Sequence, residues 1–556
     1  MEQKTVLDYF YEQEKSIADR PFLRQPFGDR WEVYTWGETA QMIRKLATGL
    51  KSLGLPPKSN IGLVSKNCRE WVIADLAIVL AGYVSVPLYA TLTGEQIKEV
   101  LEIGEVKALF VGKLEVWEDM KKGVPQDMPI IAFPHYKGNS KVTEGEQWEE
   151  FINRFEPMAE SPRPDLEDLW TIVFTSGTTG TPKGVMLKHK VVASLERNIR
   201  EENHLRVSTD GDNRFFSFLP LNHIAERAVV ELVCIFHGGE ISFAESLETF
   251  AKNLRDTRPT VFFAVPRIWT KFQLGILEKM PQKKLNLFLN LPILSGIVKK
   301  KIKKGLGLDQ ARICVSGAAP IGQTLKEWYR KLDISISEGY AMTENCAVCT
   351  FLPGNVDRPG SVGKASMGVE LKIDEDTGEV CMKADFVMSG YYNAPDKTDE
   401  MLRNGWLHTG DQGWINDEGY LYLTGRVKDT FKTSKGIYIV PAPMEWIYDA
   451  NTDIEQVCIL GLGMPQPMAV VALSELGKMK SKEALKDSMK ETLTKANEGI
   501  KNDQKVSTII IAKEAFSVEN GLLTPTLKVK RNMMNIVYTN KLLSWHQSSE
   551  EVIWEE

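Results

Sequence analysis

The chain has 556 residues, 43% of them hydrophobic and 26% charged, with a formal net charge of -6. That length exceeds what one hydrophobic core serves, so the expectation is a folded protein with several lobes rather than a disordered or fibrous one. Mild acidity without a basic tract interleaved with aromatics argues against nucleic acid as the main partner.

Seven scattered cysteines, an odd number, point to a reducing compartment and no disulfide framework. Cys346 and Cys349 form a C-x-x-C pair, but no second pair or nearby histidine completes a zinc set. Both are read as small buried side chains. Met1 to Phe22 alternates charged and aromatic residues with no apolar signal core, which leads to the expectation of a cytoplasmic protein.

From Tyr34 to Gly112 the predicted elements alternate. Helix Trp36 to Leu53, strand Ile61 to Val64, helix Arg69 to Ala81, strand Val84 to Leu88, helix Thr93 to Ile103 and strand Ala108 to Val111 follow in turn. Such alternation builds a parallel sheet with helices on both faces. The long apolar tract Trp71 to Ala90 is interrupted by Asp75, Gly82 and Pro87, and changes period near Gly82, so it is a helix and a buried strand rather than a membrane span. Glu144 to Pro164, polar and proline-containing, is predicted to be a surface connection.

Thr171 to Lys190 reads TIVFTSGTTGTPKGVMLKHK. Thr171 to Phe174 form a strand that delivers a glycine-rich loop, after which the pattern is read as helical. Gly177, Gly180 and Gly184 let backbone N–H groups approach an anion, Ser176, Thr178 and Thr179 offer hydroxyls, and Lys183 adds charge. This is chemistry for a polyphosphate. It is not a Walker A loop, because Pro182 precedes the lysine and Gly184 follows it.

Phe215 to Arg227, FFSFLPLNHIAER, is a strand that breaks at Pro220 and presents His223. Thr260 to Trp269 is a buried strand ending at Pro266. Leu285 to Lys304 has an apolar half followed by five lysines among six residues from Lys299. Two readings stand for it: a segment docking on an anionic membrane surface, or a helical hairpin with a solvated lysine face, interrupted at Pro292 and Gly296. Ala311 to Pro320 is a strand ending in small residues, Gly317, Ala318 and Ala319, which let the backbone approach a flat ligand. Ile336 to Glu344, ISEGYAMTE, follows. Val369 to Met388 holds short strands that suggest a small β-barrel or subsheet. GWLHTGD (Gly405 to Asp411) and GRVKD (Gly425 to Asp429) come next. The remainder is a smaller α+β lobe carrying TSKG (Thr433 to Gly436) and GLLTPTLKVKR (Gly521 to Arg531).

The run Thr175 to Gly184 resembles the phosphate-binding signature of the adenylate-forming enzymes: acyl-CoA synthetases, luciferases and peptide-synthetase adenylation domains. The later motifs occur in that family's order. LPLNHIAER and TPTLKVKR resemble the long-chain fatty acyl-CoA synthetases in particular. The implied fold is α/β, with doubly wound sheets and a small barrel or subsheet in a large domain (1–427) and a smaller, mobile α+β domain (428–556) hinged at Lys428.

By the same resemblance, Thr175, Ser176, Gly177, Thr178, Thr179, Gly180 and Lys183 hold ATP phosphates. Gly317, Ala318, Ala319, Glu338, Gly339 and Tyr340 surround adenine, and Thr343 touches phosphate. Thr175 and Glu344 serve Mg2+. Asp411 accepts the ribose hydroxyls and Arg426 lies near ribose and phosphate. His223 stands between nucleotide and acyl pocket, Thr260 to Trp269 is similar to the family's VPR segment and is expected to wall the acyl tunnel, Lys435 and Gly436 meet coenzyme A, and Lys528, rather than Lys530, is the catalytic lysine. Ala341 departs from the family's glycine in YGxTE.

The implied reaction joins a long-chain fatty acid to coenzyme A through an acyl-adenylate. Alternatives are transfer to an acyl-carrier protein, a lapsed fatty-acid or nucleotide binding protein, or luciferase-type oxidation. The implied partners are small molecules; the membrane-docking reading of 285–304, one of the two that stand for it, would add a peripheral place at the inner face of a membrane. The oligomeric state stays open, a homodimer included.

Overall fold

The alternating segments after Tyr34 build a seven-stranded sheet. The computed structural model describes residues 3–176 (the Ser176 side chain apart), 181–448, 450–518, 520–524 and 528–556. The sheet order is Glu146–Gln147, Ile130–Ala132, Val106–Val111, Asn60–Val64, Val84–Leu88, Leu169–Ser176 and Pro182–Lys188. All neighbours are parallel except the last pair. Helices Trp36–Ser52 and Gly94–Ile103 start at Thr35 and Thr93, where Glu38 and Gln96 complete reciprocal capping boxes. Helix Arg69–Leu80 is buried along its whole length, as its all-round apolar sequence requires.

Two expectations are corrected here. After the glycine-rich loop the chain does not pass directly into a helix. Residues 182–188 return as an antiparallel strand that places Lys183 opposite Thr175, and helix His189–Glu202 begins only after it. The alternation that buries Val185 and Leu187 drives this. The stretch Glu144 to Pro164 is also not wholly superficial. Helix Trp148–Asn153 buries Trp148, Phe151 and Ile152, an i, i+3, i+4 set, in the main core.

A second sheet of ten strands begins with parallel Val261–Ala264, Ile313–Ser316 and Ile336–Tyr340. It continues antiparallel through Thr350–Leu352, Ser361–Ala365, Tyr420–Arg426, Trp406–Ile415, Glu379–Lys383 and Glu370–Ile373, with Leu402–Arg403 on the side. Of the small barrel or subsheet expected there, the β-rich region forms the latter, continuous with the second sheet. Gly363 sits at the irregularity that turns it. There φ is +102°, and a Cβ would stand 2.2 Å from the Phe351 carbonyl. A four-stranded sheet (Pro21–Phe27, Arg30–Thr35, Arg214–Ser217, Glu240–Phe243) completes this part.

From Phe431 onward the chain forms its own small sheet, Ile454–Leu460, Met468–Leu473, Ile509–Ile511 and Val552–Trp554. Its two faces feed separate cores, one around Ile459, Val471 and Met489, the other around Val470, Met534 and Leu542. Arg267 of the large part forms an ion pair with Glu455 of this lobe. Helices Gln282–Leu289 and Pro292–Leu306 form a hairpin, the second starting at Pro292. No helix among the described residues is long and apolar enough to cross a membrane.

Candidate active site

The strand Pro182–Lys188 is stitched along its free side to the segment 388–392. Ser389 N donates to Met186 O at 3.0 Å and Tyr392 N to Gly184 O at 2.8 Å. This places Tyr391 beside Lys183, whose Nζ stands 5.0 Å over the tyrosine ring. The Tyr391 hydroxyl donates to Glu344 Oε1 at 2.6 Å, and Met388 N donates to the Glu344 carbonyl at 2.8 Å. Glu344 lies with buried Thr343 in the short turn Thr343–Asn345 that follows strand Ile336–Tyr340. Burial holds the Lys183 pKa below the usual lysine value, and nearby Lys428 and Lys397 add to the effect against Glu344 and Glu400. Lys183 and Glu344, held side by side by Tyr391, are suited to a polyphosphate held with a cation.

Further along the second sheet, Asp411 and Arg426 are cross-strand partners. Asp411 accepts from Arg426 Nε at 3.1 Å and from the Tyr340 hydroxyl at 2.7 Å. Behind them Glu379 accepts from Gly410 N at 2.7 Å, and Arg403 Nη2 reaches both Glu379 Oε2 (3.2 Å) and His408 Nδ1 (2.6 Å). Glu379, Cys381 and His408 gather as closely as metal ligands. The Arg403 guanidinium already occupies that position, and burial pushes the Cys381 thiol up to about 11, so this cluster supports the Asp411 strand instead of holding a cation.

His223 caps a short helix, with Ala225 N donating to its Nδ1 at 3.2 Å. Burial and the neighbouring Lys528 push the imidazole down to about 4. At neutral pH the ring is therefore uncharged with its proton on Nε2, a hydrogen-bond donor rather than a cation.

Lys528 comes from the C-terminal lobe. Its loop is closed by Thr524 N donating to Lys528 O at 2.8 Å and Lys528 N donating to Thr524 Oγ1 at 3.1 Å. Arg531 anchors the loop's end. It pairs with both Glu445 oxygens at 2.8 and 2.9 Å and lies 3.9 Å from Asp429, next to Lys428 in the chain. Lys528 is exposed to water on one side, yet protein crowds around it. The hydration lost to that crowding, with Arg426 close by, lowers its pKa to about 8, against the opposing pull of Asp411 and Glu344. Lys530 instead gives its backbone N–H to Leu522 O at 2.8 Å.

The structure thus brings together Lys183, Glu344, Tyr340, Asp411, Arg426, His223 and Lys528. Thr175 is across the hairpin from Lys183, while Gly177, Thr178, Thr179, Gly180 and the Ser176 side chain lie outside the described residues. Gly317 is packed so that a Cβ would stand 3.2 Å from the Gly339 carbonyl, which brings the two small-residue segments into contact. Ala318 adopts φ +64°, and Ala319 follows in the same loop. Glu338 turns its carboxylate to Lys326 Nζ at 2.9 Å, so toward the cleft it offers backbone only. Lys428 occupies the single turn Val427–Asp429. Lys435 and Gly436 are exposed at the tip of the hairpin Phe431–Lys432/Tyr438–Ile439, apart from this cluster. Cys346 and Cys349 are buried in the main core.

Two features were missed in the sequence. Tyr391 carried one signal, a glycine and two aromatics closing the β-rich stretch. Arg227, beside the singled-out His223, is fully buried. It donates to Asp75 at 2.6 Å, Thr171 at 2.9 Å and Glu231 at 3.2 Å, and stacks 4.0 Å from the Trp170 ring. Its neighbour Glu226 accepts from Phe218 N at 3.0 Å. A charged pair inside an apolar run was the visible sign.

The fold agrees with comparison to known proteins. A family model described as "AMP-binding enzyme" matches residues 10–392, and one for the "AMP-binding enzyme C-terminal domain" matches 428–545. The chain belongs to the AMP-binding enzyme family. Similar proteins include long-chain-fatty-acid–CoA ligase ACSBG2 of Xenopus laevis, 29% identical over 98% of this chain and 84% of that one. Another is long-chain-fatty-acid–CoA ligase 5 of Rattus norvegicus, 30% identical over 95% and 85%. The anthranilate CoA ligase AuaEII, solved with anthranoyl-AMP, shares the fold with a TM-score of 0.79 at 20% identity over 98% of this chain and 99% of that one. So does the A domain of a carboxylic acid reductase from Segniliparus rugosus, solved with AMP and a co-purified carboxylic acid, with a TM-score of 0.80 at 21% identity over 99% and 95%.

Proposed function

We propose that this protein ligates a long-chain fatty acid to coenzyme A through an acyl-adenylate, with release of AMP and pyrophosphate. The observation that carries the reading is the position of Lys528, which the C-terminal lobe presents to Glu344, Asp411, Arg426 and His223 of the large domain. The long-chain assignment rests on the relatives' names and on the LPLNHIAER and TPTLKVKR stretches.

The chemical difficulty is the meeting of two anions, since a carboxylate must attack the α-phosphorus of ATP. The substrate carboxylate is itself the nucleophile, so the protein's task is neutralisation and in-line placement. Lys183 and the loop from Thr175 bind the leaving phosphates. Asp411, braced by Tyr340 and Arg426, orients the ribose. Lys528 stabilises charge shared between carboxylate and α-phosphate, and neutral His223 offers Nε2–H at the junction of nucleotide and acid. Glu344 fits a magnesium ion, because Tyr391 holds one carboxylate oxygen and leaves the other to a hard cation. When bound, that ion would neutralise phosphate charge, with Glu344 and Thr175 as its protein ligands.

Transfer to coenzyme A needs a different arrangement, because Lys528 fills the approach and the Lys435–Gly436 loop stands apart. The small domain turns about Lys428, withdrawing Lys528 and bringing Gly436 inward. The test is fatty-acid-dependent pyrophosphate release from acetate to oleate, with and without coenzyme A, with thioester followed by mass spectrometry. Long-chain turnover with coenzyme A-dependent thioester supports the reading. Adenylate without thioester moves it to a carrier-protein acceptor, and no pyrophosphate with any acid overturns it.

A further inference from the structure

We infer that the helical hairpin 282–306 is a docking surface for an anionic lipid bilayer. Its tip is apolar and uncovered. Ile293 is 82% exposed, Leu287 59% and Ile297 58%, with Leu291 and Leu294 also exposed between them. No residue of helix Pro292–Leu306 is buried. Isolated exposed apolar residues are unremarkable, but five within eleven positions at one hairpin tip form a patch of the kind that marks an interaction site.

The charge around that tip identifies the partner. Between residues 279 and 308 the chain carries eight lysines and no aspartate or glutamate, in a protein whose overall charge is -6. Lys299 pairs with Asp333 at 2.9 Å. Among the described residues no ion pair is found for Lys283, Lys300, Lys301, Lys303 or Lys304. In helix Pro292–Leu306, Ile293 and Ile297 share a face with Lys300, Lys301 and Lys304, so the apolar end leads directly into a basic end. An apolar tip entering the acyl boundary with lysines at headgroup level matches an anionic membrane surface. A second copy of the chain fits poorly, because a two-fold contact through this tip would set eight lysines against eight.

The inner side of the hairpin ties the surface to the site. Leu285 and Leu289 of the first helix and Val298 and Ile302 of the second pack into the cluster that holds Phe262 and Trp269, the segment expected to wall the acyl chain. Docking places that wall next to the bilayer in which long-chain acids reside. Lipid binding stands on the surface alone, whereas delivery of the acid from the bilayer rests on the proposed ligase reading.

The test is co-sedimentation of the full chain with vesicles of phosphatidylcholine alone or mixed with phosphatidylglycerol, at about 0.1 M salt, where screening is moderate. Expected is binding to the mixed vesicles that weakens with salt. Lys300→Glu/Lys301→Glu should lower partitioning at least tenfold, since one lysine near the surface is worth roughly fivefold. Ile293→Glu/Leu294→Glu should do the same, while both variants release pyrophosphate normally with a soluble medium-chain acid in the absence of lipid. Failure of the unaltered protein to bind, or equal binding by the variants, overturns the docking surface. So does a dimer in lipid-free sedimentation that Ile293→Glu/Leu294→Glu dissociates, because the tip then belongs to a second copy. Intact vesicle binding without pyrophosphate release in any assay would remove the ligase reading and leave the surface standing.

Discussion

Tyr391 Oη donates to Glu344 Oε1 at 2.6 Å while the Tyr391 ring lies 5.0 Å beneath Lys183 Nζ. One side chain thus holds both the carboxylate assigned to the cation and the lysine assigned to the phosphates, fixing the separation of their charges. Tyr391→Phe keeps the ring and deletes the hydroxyl. It should raise the Mg2+ concentration for half-maximal adenylation about tenfold, as expected when a hydrogen bond orienting a metal ligand is lost. The KM for the fatty acid should be unchanged. A magnesium titration of pyrophosphate release checks this, and an unaltered Mg2+ requirement would discount the bridge.

Lys528 acts as a cation, so its protonated form is the active one. With its pKa lowered from 10.5 to about 8, mainly by the hydration lost to the protein around it, kcat/KM for ATP in adenylation should fall as pH rises through about 8 and hold steady below it. Lys528→Arg should retain part of the activity and move that descending limb out of range, because guanidinium stays charged. A limb that persists in Lys528→Arg belongs to another group. Lys528→Ala should abolish adenylation and spare attack of coenzyme A on preformed acyl-adenylate. Equal loss in both half-reactions would refute the role.

Arg267 and Glu455 pair across the two lobes in the arrangement that presents Lys528. Both are partly open to water, and such a pair contributes about 0–1 kcal/mol. Glu455→Gln should therefore slow adenylation by a factor of about two to five, leaving thioester formation from preformed adenylate unchanged or slightly faster. Single-turnover measurements of each half-reaction decide it, and equal slowing of both would show that the pair does not select between arrangements.

Arg227 is the only cation in contact with Asp75 and Glu231 among the described residues, and all three are buried. Removing it strands two carboxylates in the core. Arg227→Ala should cost about 3–5 kcal/mol, the typical loss when one partner of a buried ion pair is deleted. A large fall in thermal midpoint checks this, and a shift no larger than that of an exposed arginine, such as Arg30→Ala, would contradict it.

The sequence by itself determined what local hydrophobic period and motif order can carry. The helix–strand alternation of residues 34–112, the breaks at Pro292 and Pro266, and the succession of loop, ISEGYAMTE, GWLHTGD, GRVKD and TPTLKVKR all lie within short windows. Side-chain periodicity and turn chemistry act there without help from distant residues. Only the tertiary structure decided that Pro182–Lys188 returns as a strand, that Glu338 faces Lys326, and that Tyr391 serves Glu344, 47 positions away. It alone joined Arg227 to Asp75 across 152 residues and set Lys528 near His223. These relations depend on which buried polar group finds a partner once two sheets and a second lobe have packed together. That choice is made by the cost of leaving such groups unpaired, and no local pattern in the chain records it.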